Sequence, residues 1–162
     1  MATAALLDVV FFEVRGLRCA LPLAVVRKVL PLRGVTPVPL APAMVRGIAP
    51  VQDWILPVLD LAVCFQPSGD DMVEGTAYRY PKDKLLLIET APDAGREVVR
   101  AVIAVERAVT IGTVDEQHSR PPPLRPSFLS ATVLDASGPA LLLDIERTID
   151  YVRNAISAVI GS

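Results

Sequence analysis

Short runs of Val, Ile and Leu, each bounded by Gly, Pro, Asp or Ser, recur along the 162 residues and predict an all-β chain. The runs are Asp8 to Val14, Arg18 to Leu23, Ile55 to Leu59, Lys84 to Ile88, Val98 to Val105, Thr132 to Leu134 and Pro139 to Leu143. Fifteen prolines leave little room for long helices, because an interior proline removes a hydrogen bond and clashes with the preceding turn. Two helical stretches pass that filter. The first is Leu23 to Leu30, between Pro22 and Pro31, with Val25, Val26 and Val29 as its apolar positions. The second opens after Asp144 as N-cap and runs over 145–160, where Ile145, Ile149, Val152, Ile156 and Val159 form one stripe that fits against the body of a domain.

Between the β-rich regions, 66–83 is polar and contains Gly69, Asp70, Asp71, Gly75 and Pro81, so it is expected to be a connecting loop. It divides the chain into approximate halves, 9–65 expected as a first barrel region and 84–145 as a second, within one domain over 1–162. The halves show no close internal repeat. A second irregular stretch, Asp115 to Ser127, carries Pro121, Pro122, Pro123 and Pro126 and reads as a stiff connector, with a polyproline ligand for an SH3-type partner as the alternative.

Composition narrows the partners. Hydrophobic residues make up 52% of the chain and charged ones 21%, enough apolar material for a core and too much for a disordered chain. A formal charge of -2, with scattered basic residues, offers no general attraction to nucleic acid or anionic lipid. Every apolar run falls well short of the roughly 18 residues of a membrane span, and no basic region precedes the first one, so a cytosolic protein without direct membrane insertion is expected. Cys19 and Cys64 sit in apolar segments and are expected to be buried thiols.

The segment Gly47-Ile48-Ala49-Pro50-Val51-Gln52-Asp53-Trp54-Ile55-Leu56-Pro57-Val58-Leu59-Asp60-Leu61 resembles the signature of CheW-like domains, the adaptors of bacterial chemosensory arrays. There the stretch reads roughly Gly-Ile-x-Asn-Leu-Arg-Gly-x-Ile-x-Pro-Val-Ile-Asp-Leu. The likeness extends from about Val9 to Ile149, through Cys19-Ala20-Leu21-Pro22-Leu23, Val26-Arg27-Lys28-Val29, Thr36-Pro37-Val38-Pro39, Phe128-Leu129 and Leu141-Leu142-Leu143-Asp144-Ile145-Glu146. It implies two packed five-stranded SH3-like β-barrels sharing an apolar seam, with a short helix and a C-terminal helix. It also implies a non-enzymatic scaffold, located in the cytoplasm at receptor clusters, with a methyl-accepting chemoreceptor as its partner. Further partners it suggests are the CheW-like regulatory domain of a histidine kinase or another CheW-like protein. Carried over residue by residue, the partner-binding positions are Val26, Lys28, Val29, Gly47, Gln52 and Trp54, with Val102 and Val105 from the second half.

The signature is broken at Lys28, Pro50, Gln52, Asp53 and Ala131. Lys28 replaces an acidic residue, and Gln52-Asp53 replaces a basic residue followed by glycine, so the family's charge pair cannot form between positions 28 and 52. An exposed pair contributes about 0 to 1 kcal/mol, so the loss should alter specificity more than folding. The departures imply an accessory adaptor with weak or absent kinase coupling; an ordinary coupling protein bridging receptor and kinase is the alternative. Trp54 has two readings, a cap on the core or an exposed interface anchor. Pro57 and Asp60 read as strand-end and turn chemistry.

Little points to catalysis, and no cofactor is expected. His118 is the sole histidine and stands in the polar proline-flanked stretch, away from both cysteines, so no metal site is expected. There is no nucleophile elbow, phosphate-binding glycine loop or His-Glu-x-x-His. Asp60, Asp144 and Glu146 are too dispersed for a local carboxylate pair. An enzyme of unknown class and a nucleic-acid-binding barrel stay as remote alternatives, the latter without an aromatic and basic platform.

Overall fold

The computed structural model describes residues 6–14, 16–31, 34–41, 44–61, 84–90, 98–106, 110–116, 129–135 and 137–150. Cys64, His118, the 66–83 connection, most of the proline-rich stretch and Val152, Ile156 and Val159 lie outside them. The described elements are β1 (Leu6–Val14), β2 (Leu17–Pro22), a 3-10 turn (Leu23–Val25), β3 (Val26–Pro31), β4 (Val45–Val51), β5 (Trp54–Leu59), β6 (Lys84–Glu89), β7 (Arg100–Val105), β8 (Thr110–Asp115), β9 (Leu129–Asp135) and β10 (Gly138–Leu143). A helix over 145–150 follows.

The strands form two five-stranded sheets, in the orders β8-β1-β2-β10-β9 and β3-β6-β7-β5-β4. Each sheet closes on its own apolar filling. Val9, Phe11, Ala20, Val114, Val133, Ala140 and Leu142 meet in the first, one or two from every strand, which requires the sheet to curl. Ala49, Val51, Leu56, Val58, Leu85, Leu87, Val102 and Ala104, with Leu30 against them, do the same in the second. Between the sheets lies the seam, where Phe12, Cys19, Leu21 and Leu143 face Leu59, Leu86, Ile88, Ile103 and Val105. The inner strands β1, β6, β7 and β10 are therefore buried on both faces. This is why they read as unbroken apolar runs rather than as alternating patterns.

The C-terminal helix starts as expected. Asp144 Oδ1 accepts the Arg147 amide at 3.1 Å, the N-cap to N3 bond, and Ile145 and Ile149 insert into the seam. Cys19 is also in the seam, where burial, helped by the Glu106 charge, pushes its thiol pKa up to about 12, so it is protonated and unreactive at neutral pH. No helix among the described residues is long and apolar enough to cross a membrane.

Three expectations are overturned. The helix over Leu23 to Leu30 is one 3-10 turn followed by strand β3, which pairs with β6. A helix this short between two prolines cannot offset its nucleation cost, whereas the β6 edge satisfies the backbone of the β-branched run at once. Pro50 and Asp53 depart from the signature and predict a differently shaped loop between Gly47 and Ile55, yet the stretch after Gly47 is mostly strand β4; Pro50 is accommodated because β4 is a sheet edge. Pro57 is within β5 rather than at its end, one residue before the parallel ladder to β7 begins at Val58.

The chain halves 9–65 and 84–145 do not correspond to the sheets either. The first sheet takes β1 and β2 from the first half and β8, β9 and β10 from the second; the other takes β3, β4 and β5 with β6 and β7. The halves thus exchange three-stranded units, and the 3-10 turn carries the chain from one sheet into the other. The ladders show the repeat that the sequence conceals. In each sheet an antiparallel hairpin (β1–β2 or β6–β7) is joined through a parallel ladder (β2–β10 or β7–β5) to a second hairpin (β9–β10 or β4–β5).

Candidate interaction surface

Gly47 is set by close approach. Thr36 and Ile48 exchange two backbone hydrogen bonds, with nitrogen-oxygen distances of 2.8 and 2.9 Å, and pull the 34–41 segment across β4. A Cβ on Gly47 would overlap the Thr36 carbonyl, with its carbon at 2.8 Å and Pro37 Cα at 3.1 Å. Gly47 shapes the backbone and presents no side chain to a partner.

Val51, Gln52, Asp53 and Trp54 form a two-residue hairpin turn, Val51 opposite Trp54. Gln52 carries the left-handed backbone, φ 54°, while Asp53 does not. The turn therefore needs its permissive residue at position 52, not at position 53 where the family places glycine, and it strains a glutamine to obtain it. Gln52 is exposed, and Trp54 is 37% exposed at the mouth of the second barrel.

Around Trp54 a row of charges crosses the sheet. Arg100 of β7 lies over the Trp54 ring, 4.3 Å from the ring centre, and its Nε donates to Glu89 Oε2 at 3.0 Å. Arg27 Nη2 stands 3.4 Å from Glu89 Oε1. A register shift between Val26 and Lys28 places Arg27 as the extra residue of a bulge, which aims it toward Glu89. Lys28 follows, exposed. The reading of positions 28 and 52 alone missed this row; the signal was Glu89 and Arg100 flanking two apolar strands, but only the β6–β7 register sets them opposite.

The first sheet has a counterpart. Arg18 stands opposite Glu13 as Arg100 stands opposite Glu89. Arg18 forks onto Asp135 with bonds of 2.6 and 2.8 Å, donates to the Gly138 carbonyl at 3.2 Å and lies 3.9 Å over the Phe11 ring. The Arg18 guanidinium holds the Asp135 carboxyl below its ordinary range, with the Ser137 and Gly138 amides helping against a desolvation that opposes them. A carboxylate with a lowered folded pKa stabilises the protein above its unfolded pKa, and that contribution fades as pH falls through the folded value. Asp135→Asn should therefore cost about 1–2 kcal/mol at neutral pH, at the low end for a charged hydrogen bond because the pair touches solvent. In urea titrations the gap between wild type and variant should narrow as pH falls below the ordinary carboxylate range and through the lowered folded value; a pH-independent gap would show that charge is not what Asp135 contributes.

The remaining expected positions separate. Val26 packs at the edge of the seam, and Val29 is exposed on β3 beside it. Val105 is 1% exposed inside the seam and Val102 is 0% exposed inside the second barrel, so both are core residues and neither reaches a partner from this structure. Ala131 pairs with Leu142, the place in the first sheet that Gly47, paired with Val58, holds in the second. Among the described residues, no group of three or more His, Cys, Asp or Glu is placed to hold a metal.

Two interlocked five-stranded barrels, an apolar seam and a helix capped onto it define a double-barrel protein. The CheW-like domain family matches residues 8–153, and the chain belongs to that family of chemotaxis scaffold and adaptor proteins. Its fold is similar to the crystal structure of the scaffolding protein TtCheW from Thermoanaerobacter tengcongensis, with a TM-score of 0.64 at 19% identity over 85% of this chain and 88% of that one. No curated protein matches the chain.

Proposed function

We propose that this chain is a non-enzymatic adaptor of a cytoplasmic chemosensory array that binds the signalling tip of a chemoreceptor and couples weakly, if at all, to a histidine kinase. The observation that carries the receptor half is the rim of the seam. The 3-10 turn and β3 leave Leu23 and Val29 exposed beside buried Val25 and half-buried Val26, an apolar ledge suited to one face of a helix. The kinase half rests on positions 28, 52 and 53: with Lys28, Gln52 and Asp53 in place, the positive charge is regrouped around Glu89 instead of on the hairpin turn. A partner selected for the family's usual charge pair meets a different pattern here.

The test uses a receptor tip and a histidine kinase from the same genome, each captured separately, followed by kinase activity with this chain as the only adaptor. Receptor capture with at most a tenth of the activation given by an ordinary coupling protein is the expected result. Full kinase activation would overturn the accessory role in favour of a bridging one, and failure to capture the receptor would overturn the adaptor reading. Lys28→Glu, Gln52→Arg and Asp53→Gly together should raise coupling several-fold; no change would mean that the altered signature is not the cause.

A further inference from the structure

The two barrels close their mouths with equivalent arginines, and among the described residues only one of the two is fully paired. Arg18 stands two residues before Ala20, which neighbours Leu142 in the parallel ladder; Arg100 stands two before Val102, which neighbours Val58. Counting back four from Leu142 and from Val58 reaches Gly138 and Trp54, and their hairpin partners are Asp135 and Val51. The first mouth is thus completed within the chain, by the Asp135 carboxylate forked onto Arg18. In the second, apolar Val51 stands where that acid would be. Glu89 takes Arg100 Nε, and among the described residues nothing accepts from its two Nη groups. The Arg100 side chain is 30% exposed and its guanidinium carbon lies over the Trp54 ring.

We propose that Arg100, fixed on the Trp54 ring, is a docking point for a carboxylate side chain of a protein partner, which takes the place that Asp135 takes on Arg18. A guanidinium whose two Nη groups are open matches a carboxylate in geometry and charge, and contact with an aromatic face restrains it before the partner arrives. The surroundings reinforce the sign: Arg27 joins Arg100 on Glu89, so two guanidinium groups share one carboxylate there. Trp54 supplies the platform and seals the barrel beneath. The inference rests on the adaptor reading, with an acidic residue on the receptor tip as the occupant.

The experiment titrates wild-type protein with a helical-hairpin fragment of the receptor tip, and with the same fragment whose Asp and Glu are changed to Asn and Gln. The chain's single tryptophan is Trp54, so its emission reports on the site directly. Wild type should bind the acidic fragment about tenfold or more tightly than the neutral one, with a change in Trp54 emission. Arg100→Gln should bind both fragments alike, at the level of wild type with the neutral one, and Arg100→Lys, which keeps charge but loses the fork, should fall between. If Arg100→Gln does not fold, the Arg100→Lys comparison carries the test by itself. An Arg100→Gln or Arg100→Lys protein that retains the full wild-type preference for the acidic fragment overturns the proposal and leaves receptor binding standing. Wild type binding neither fragment overturns the adaptor reading itself.

Discussion

Leu56→Asp will abolish cooperative folding, whereas Ile55→Asp, one residue earlier on the same strand, will leave it nearly unchanged. Leu56 is 7% exposed and packs with Ala49, Val58, Leu85 and Val102 inside the second barrel, while Ile55 is 72% exposed. Side chains alternate across a strand, so a carboxylate at 55 stays in water and one at 56 is driven into a filled apolar interior. Losing the leucine costs about 2–5 kcal/mol, and desolvating or protonating an unpaired carboxyl adds to that. A domain of ordinary stability, about 5–15 kcal/mol, loses most of its margin. Urea unfolding followed by circular dichroism and by Trp54 emission checks this. A cooperative Leu56→Asp transition together with a collapsed Ile55→Asp one would mean that β5 runs in the opposite register.

Gly47→Ala is expected to have the second-largest effect, out of proportion to the single methyl it adds. The new Cβ would meet backbone, the Thr36 carbonyl and Pro37 Cα, not the flexible end of a side chain. That backbone is itself tied to β4 by the Thr36–Ile48 pair, so room can come only from breaking those two bonds or bending β4. Overpacking of this kind costs about 1–3 kcal/mol. Hydrogen exchange discriminates between the two responses: the Thr36 and Ile48 amides should lose protection while those of the β6–β7 ladder keep theirs. Unchanged protection at Thr36 and Ile48, with wild-type stability, would show that the 34–41 segment yields freely.

Much of the fold was legible because the inner strands announce themselves. Val9-Val10-Phe11-Phe12, Leu85-Leu86-Leu87-Ile88 and Leu141-Leu142-Leu143 are buried on both faces, and a strand with that environment has no polar positions to confuse the reading. The edge strands were harder to recognise. In β4 the outward positions are Ile48 and Pro50, so the polar half of the alternation is missing; β3 looked helical because its run is short and its prolines bracket it. The site divided along the same line. Gln52 and Trp54 stand in one hairpin and read as one stretch of sequence, whereas Arg27, Glu89 and Arg100 come from three strands and meet only through their register. Val102 and Val105 were placed on a partner surface because an apolar residue on a strand does not state which face it occupies, and both face inward.

By itself the sequence determined the all-β class and the capped start of the C-terminal helix, because each depends on side-chain periodicity or capping chemistry within a few residues. Only the tertiary structure decided that the halves exchange their three-stranded units, that Val51 and Asp135 hold equivalent places, and that Arg100 lies over Trp54 with its Nε on Glu89. Those facts depend on which strands pair and in what register, and pairing is selected by the burial of whole sheet faces against one another, a collective energy that no local stretch of the chain carries.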